Sequence, residues 1–398
     1  MHRKENWGEF ARESLAMAGV TGLGYWPLYV IPFVIGALID GRGLDEVQAG
    51  FVASVEVTTI ALSSLLMSRF VSMIGSTSRA IYITIVVIIL GNLISAVAES
   101  YSLLLVSRLL VGFGEGIALA TGTATVTHVK KPDRLYALVQ VGRGLIGAIS
   151  IPIIAYAIGH SASAGPFLFL ALLPLLALPV AHWLPTEREK DASASEINAL
   201  FHSKIAQMVV LLMAAMFMVT LGESFWYSFI ERKGTSIGMD LDSVAMILSA
   251  TIFLGILGAG IPAFLGNRYG RILPLLVLIV LTTISGGVSL MATTAVPYVL
   301  GAFCFVIFFA AITPFAIGLS TVFGRTGAVS AAIGSMIVGG HAIGPTIAGF
   351  TLKAGGFPAL SMEFAASGLC AIVLFLVLGY LVQQRKKSDT HVTGVSVD

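Results

Sequence analysis

Twelve apolar runs follow one another along the chain, and polar residues are largely confined to the short stretches between them. The runs fall at 15–39, 46–68, 80–98, 102–126, 135–159, 164–184, 205–230, 243–266, 272–292, 297–323, 328–351 and 359–382. A helix needs about 20 residues to span the hydrocarbon core of a bilayer. Lipid offers no partner to a free backbone group, and a barrel strand would alternate apolar with polar positions. The pattern therefore predicts an all-α membrane protein of twelve transmembrane helices.

Basic residues orient these spans. With both termini in the cytoplasm, 17 of the 23 Lys and Arg residues fall on the inner side and 4 on the outer side, Arg42, Arg232, Lys233 and Lys353. The positive-inside rule selects that topology. The longest connection, 185–204, is polar and divides the chain into an N-terminal bundle (1–184) and a C-terminal bundle (205–398) of six spans each. The fifth span carries VGRGLIG at 141–147 and the eleventh VGGHAIG at 338–344, 197 residues later, which fits two related halves.

Composition narrows the function. Hydrophobic residues make up 57% of the chain and charged residues 11%, less than half the usual share of about 25%. That excludes a soluble enzyme, a nucleic-acid binder and a disordered chain. Cys304 and Cys370 lie inside apolar runs, so no disulfide framework is implied. No Asn-x-Ser/Thr sequon occurs, which fits a bacterial source. The polar first 14 residues lead into span one without a cleavage-like site, so no removed signal peptide is expected. No phosphate-binding Gly-rich loop, metal-ligand spacing or Ser/His/Asp set is visible, so neither a cofactor nor direct use of ATP is expected.

An ionisable group inside the bilayer is costly and marks function by default. Six such residues lie well within spans: Glu56, Arg108, Glu115, Arg143, Glu223 and His341. Glu56, Glu115 and Arg143 fall near the midplane at about 1.5 Å per residue. Spans four and five are antiparallel neighbours, so Glu115 and Arg143 are positioned to pair. Arg143 suits an anionic substrate, because a guanidinium makes two parallel hydrogen bonds to a carboxylate and stays charged. Glu115 and Glu56 are candidate proton carriers, and His341 titrates in the useful range. Glu223 lines the cavity or serves an outer gate. Each has a plainer alternative: an Arg–Glu pair can simply fix helix register, and a lone histidine can be a packing hydrogen-bonder. Glu231, Lys353 and Glu363 lie at span ends and read as solvated.

The aromatic residues of the inner spans extend the candidate site. Tyr25 and Tyr29 are one turn apart near the middle of span one, with Trp26 beside them. Span ten contributes Phe305 and Phe309. A cavity lined this way suits an aromatic or amphipathic solute, although phenylalanine in a membrane helix is also ordinary filler.

Two segments carry a family resemblance. The loop Asn267-Arg268-Tyr269-Gly270-Arg271, between spans eight and nine, resembles the Asp-Arg-x-Gly-Arg loop of the major facilitator superfamily, with Asn in place of Asp. Its counterpart near 68–75 is degraded. Span four, with Arg108 and Gly112, resembles the family's RxxxG pattern. The resemblance covers nearly the whole chain. It implies two pseudo-symmetric six-helix bundles around a central cavity, alternating access, and spans one, four, seven and ten lining the cavity. It gives Arg108, Gly112, Asn267, Arg268, Gly270 and Arg271 structural or gating roles. A GxxxGPxxxG-like motif, found in span five of proton-antiporting exporters of the family, occurs here in span eleven as Gly340, Gly344, Pro345 and Gly349. That displacement counts against export and suggests a gating role for Gly344 and Pro345.

The resulting expectation is a proton-coupled secondary transporter, not an enzyme, that moves a small organic anion, aromatic carboxylates included. The alternative is a proton-coupled exporter of drugs or amphipathic compounds. A sensor or intramembrane enzyme is disfavoured by the 16-residue polar tail and the missing catalytic constellation. The expected partners are a small-molecule substrate, protons and the lipid bilayer, with no nucleic acid. The expected location is the bacterial inner membrane, with a monomer sufficient for function.

Overall fold

The computed structural model describes residues 7–70, 76–123, 132–184, 205–265, 270–319 and 326–393. Asn267, Arg268, most of the 68–75 loop and the 185–204 connection lie outside these residues, as do the inner ends of spans four, eight and ten. The described chain is almost wholly helical. Ten of its stretches are long and apolar enough to cross a membrane. Two of those, 138–183 and 333–385, each contain a reversal of direction, which is consistent with twelve passes.

Span one is two helices, α1 (Trp7–Gly22) and α2 (Trp26–Arg42). Gly22, Gly24 and Pro27 explain the break. Around Gly24 the backbone tightens, with Leu23 N–H donating to Val20 O at 3.3 Å and Tyr25 N–H to Gly22 O at 2.9 Å. Pro27 has no N–H to continue the ladder. Irregular backbone is tolerated at this depth because it is buried in protein: a Cβ at Gly24 would lie 3.0 Å from the carbonyl of Glu115. Helix α2 ends at Gly43, whose φ of 65° places it in the left-handed region.

The next helices are α3 (Glu46–Phe70), α4 (Thr77–Val97), α5 (Tyr101–Thr123) and α6 (Pro132–Ser161). Short polar side chains cap several of them, as when Ser76 accepts from Arg79 N–H and Asp45 accepts from Gln48 N–H at 2.8 Å. The chain then reverses at Ala162, a non-glycine residue with φ 45°. Span six begins as α7 (Gly165–Leu172) and continues as 3₁₀ turns at Leu173–Ala177 and Ala181–Trp183. Pro174 and Pro179 interrupt the α ladder there, and the longer rise of a 3₁₀ helix still carries the segment across.

The second half contains α8 (Ala206–Ser236), α9 (Leu241–Leu265), α10 (Ile272–Met291), α11 (Ala295–Leu319) and α12 (Thr326–Thr393). Helix α12 is bent back at Gly356, φ 66° and ψ −164°. Its two limbs lie against the same part of α8: Gly340 faces Thr220, and Ser367 faces Gly222.

Small residues let these helices approach, as bilayer packing requires. A Cβ at Gly112 would lie 2.5 Å from Glu56 O, and one at Gly116 would lie 2.4 Å from Ile60 O. The obstacles are backbone, which cannot move aside cheaply. Gly116→Val should therefore remove most folded protein from a gel-filtration profile. An unchanged profile would contradict this packing.

The buried core is distributed unevenly. One continuous cluster runs through the first half and into the outer ends of the second-half spans, from Met17 and Phe167 to Trp226, Tyr298 and Phe364. The inner ends of the second-half spans form a separate cluster around Leu212, Leu275, Ile312 and Phe375. "Outer" here means the side that the basic residues mark as outer. The described contacts between halves follow the same division. Helix α2 meets α8 where Gly36 faces Glu231, α3 meets α12 where Gly50 faces Pro345, and α6 meets α9 where Ser249 donates to Ala148 O at 2.7 Å.

Candidate functional site

The first polar centre lies inside the N-terminal bundle. Arg108, on α5, is fully buried. Its Nη2 donates to Asn92 Oδ1 at 2.9 Å, its Nε donates to Ser95 Oγ at 3.1 Å, and its Nη1 lies 3.3 Å from Glu56 Oε2. The guanidinium also rests 4.8 Å from the ring centre of Phe167, and that of Arg42 lies 5.1 Å from the same ring. Arg42 in turn donates to the last carbonyls of α4, including Ser95 O at 2.7 Å.

Glu115 joins this centre rather than Arg143. Its carboxyl lies within reach of a hydrogen bond to that of Glu56. Two carboxyl groups share such a bond only with a proton between them. Arg108, two carboxylates and one shared proton make a set that is electrically neutral, the form of lowest cost in a dry interior. The Glu115–Arg143 pair expected from the sequence does not form. Gly112 and Gly116 draw α3 against α5, and this brings Glu56 to Glu115.

The second centre crosses the seam between halves. Arg143, on α6, is 2% exposed. Its guanidinium carbon lies 3.9 Å from the ring centre of Tyr25, in the break of span one, and its Nε has no hydrogen-bond partner. None of the described ion pairs includes it. The Tyr29 ring packs on Gly147 of α6, and the Tyr29 carbonyl accepts from Tyr227 OH of α8 at 2.7 Å. One turn before Tyr227, Glu223 Oε2 lies 2.5 Å from His341 Nε2 of α12. His341 Nδ1 is 2.8 Å from Ile337 O. A carbonyl only accepts, so Nδ1 carries a hydrogen and Nε2 is left to face Glu223 Oε2. A polar line thus runs from Arg143 through the tyrosines to Glu223 and His341.

The other predicted aromatic residues lie elsewhere. Trp26 is 1% exposed and faces the interior of the N-terminal bundle. Phe305 is enclosed in the C-terminal bundle, stacked at 4.0 Å on Trp226, with Phe309 5.7 Å beyond it. Gly344 packs on Ser224, and the carbonyl of Pro345 would lie 2.2 Å from a Cβ at Gly50. Gly270 adopts φ 68°, and the Arg271 guanidinium lies against Gly318 of α11.

The outer end is tied by Asp40–Arg232 at 2.6 Å and Asp45–Lys353 at 2.7 Å, each joining the two halves. Hydrogen bonds from Lys353 and from Gln48 N–H hold the Asp45 carboxyl below its usual range. A depressed carboxyl keeps its contribution above its ordinary pKa and loses it only as pH falls through the lower value. Spin-label distances across this end should therefore stay constant from about pH 8 to 5. Widening within that window would contradict the tie. Glu231 is not solvated as its position suggested: it is 2% exposed, because Gly36 of the facing helix receives its carboxyl.

Asn92, Ser95, the bridging role of Tyr227 and the Glu223–His341 contact were not expected from the sequence. Asn92 and Ser95, three residues apart on one face of an apolar span, were a readable signal.

A family model described as Major Facilitator Superfamily matches residues 17–345. AraJ of Escherichia coli (strain K12) is 23% identical over 261 residues, 64% of this chain and 65% of AraJ. The uncharacterized MFS-type transporter YddS of Bacillus subtilis (strain 168) is 31% identical over 148 residues, 36% of this chain. The match thus spans 65% of AraJ's own length and 33% of YddS's. Among solved structures, nucleoside transporter NupG superposes with a TM-score of 0.72 at 13% identity, covering 93% of this chain and 98% of NupG. A bacterial homolog of the human lysosomal transporter Spinster, inward-facing and unoccupied, gives 0.68 at 14% identity, covering 96% of this chain and 97% of that one. At such identities the likeness concerns the fold.

Proposed function

This chain belongs to the major facilitator superfamily, and we propose that it moves a small organic anion across the bacterial inner membrane by alternating access coupled to protons. Membership of a family of transporters speaks for transport rather than catalysis. The observation that carries the anion reading is Arg143. A guanidinium that is buried, free of any described carboxylate and left with an unpartnered Nε is costly unless a ligand meets it. Tyr25 orients its plane, and Tyr29 and Tyr227 place phenol groups along the same seam. A carboxylate with an aromatic or apolar body suits such surroundings. The core that is continuous at the outer end and divided at the inner end supports a form that admits substrate from the cytoplasmic side.

Protons have two stations in this reading. One is the carboxyl pair Glu56–Glu115, tethered to Arg108. The other is Glu223–His341, next to the tyrosines. His341→Gln should keep substrate exchange but lose uptake driven by a pH gradient in proteoliposomes. Full gradient-driven uptake in that variant would remove His341 from the proton path.

The test of the function is proton flux in proteoliposomes with a pH dye inside. One pool of solutes contains aromatic and aliphatic acids, and the other contains lipophilic cations and neutral drugs. Flux with the acids that disappears in Arg143→Ala is expected. Flux only with the second pool would replace this reading with drug export.

A further inference from the structure

A small cavity lies inside the N-terminal bundle, beside the break of span one. Leu23, Trp26, Pro27, Ile88, Glu115, Leu170, Leu173 and Pro174 line it, and all are buried. The space open to the centre of a water molecule is about 10 Å³, close to the room one water needs. Two polar side chains of this lining are orphaned. Trp26 Nε1–H, a donor, and Glu115 Oε2 have no partner, although both residues are only 1% exposed. The break supplies a third candidate. Leu23 stands four residues before Pro27, which has no N–H, so the Leu23 carbonyl receives no helical hydrogen bond from that position.

An apolar cavity of this size would stay dry, but one with a donor and acceptors in its wall would not. We propose that this cavity is a binding site for one resident water molecule, which accepts from Trp26 Nε1–H and donates to Glu115 Oε2. Its second hydrogen is then available to the Leu23 carbonyl. Three partners is the usual number for a buried water. The water solvates the free oxygen of Glu115, while the other oxygen serves Glu56. Trp26 thereby gains a role its burial alone does not provide: its indole N–H fixes the water that keeps a buried carboxyl hydrated.

This inference goes beyond the transport reading and does not depend on the substrate. The test uses the full chain, purified in detergent without substrate. Subtracting the UV resonance Raman spectrum of Trp26→Phe from that of the wild type isolates Trp26, because the substitution keeps an aromatic ring and removes only that indole. A marker band of a hydrogen-bonded indole N–H is expected, and a band of a free N–H would overturn the proposal. In a density map that resolves other buried waters, a peak within hydrogen-bonding reach of both atoms is expected, and its absence would likewise overturn it. A dry cavity leaves anion transport standing, whereas an occupied cavity in a protein indifferent to Arg143→Ala removes only the anion reading.

Discussion

Arg143→Lys should weaken substrate binding by about 10- to 100-fold while leaving the fold intact. Lysine keeps the charge but loses the planar fork that holds two oxygens of a carboxylate at once. A hydrogen bond to a charged group is worth about 1.5–3 kcal/mol, and each 1.4 kcal/mol is about tenfold in affinity. The lysine stem also lacks the flat face that lies on Tyr25 at 3.9 Å. Counterflow with a saturating range of substrate concentrations separates affinity from turnover. Thermal unfolding of the same variant should stay close to the wild type, since no described ion pair is lost. Unchanged affinity would place the substrate carboxylate elsewhere.

Arg108→Leu should have the larger effect on stability. Removing one partner of a buried ion pair costs about 3–5 kcal/mol, because the other is left uncompensated. Here the loss would strip Glu56 of its counter-charge, Asn92 Oδ1 and Ser95 Oγ of a donor, and Phe167 of one of its two guanidinium neighbours. Against a total of about 5–15 kcal/mol for a folded protein, that is a large share. The expected result is a strongly lowered unfolding temperature in detergent. Adding Glu56→Leu should recover part of it, since an apolar pair costs less than a lone buried charge. A single variant as stable as the wild type would show that the cluster is solvated.

The spans could be read from the sequence because a twenty-residue apolar run has few alternatives in a membrane. Their interior irregularities were also written there, though less plainly. Gly22, Gly24 and Pro27 mark the break of span one, and Pro174 and Pro179 mark the overwound span six, yet glycine and proline are common in membrane helices and rarely decide alone. The intramembrane ionisable residues were legible as a set but not as pairs. Partner choice depends on how each helix is rotated about its axis, which hydropathy does not encode. Glu115 turned to Glu56 because glycines drew α3 close, not because span five was its neighbour in sequence. Tyr25 and Trp26 make the same point. Tyr25 lies in the break and Trp26 opens α2, so one meets Arg143 at the seam and the other enters the bundle. Glu231 looked solvated from its place at a span end, and only the facing Gly36 showed that it is not.

The seam between α3 and α12 has a further consequence. Thr346 N–H donates to Ser54 Oγ at 3.1 Å, and Thr58 Oγ1 donates to Ala342 O at 3.4 Å. In a regular helix the Thr346 N–H and the Ala342 carbonyl would bond each other. When the halves part, the helical ladder still serves both backbone groups, and the hydroxyls pass to water. The number of hydrogen bonds is then nearly the same on both sides of the transition. For these groups the van't Hoff enthalpy of opening should be small, and the balance between the two forms should change little between a cold and a warm cell.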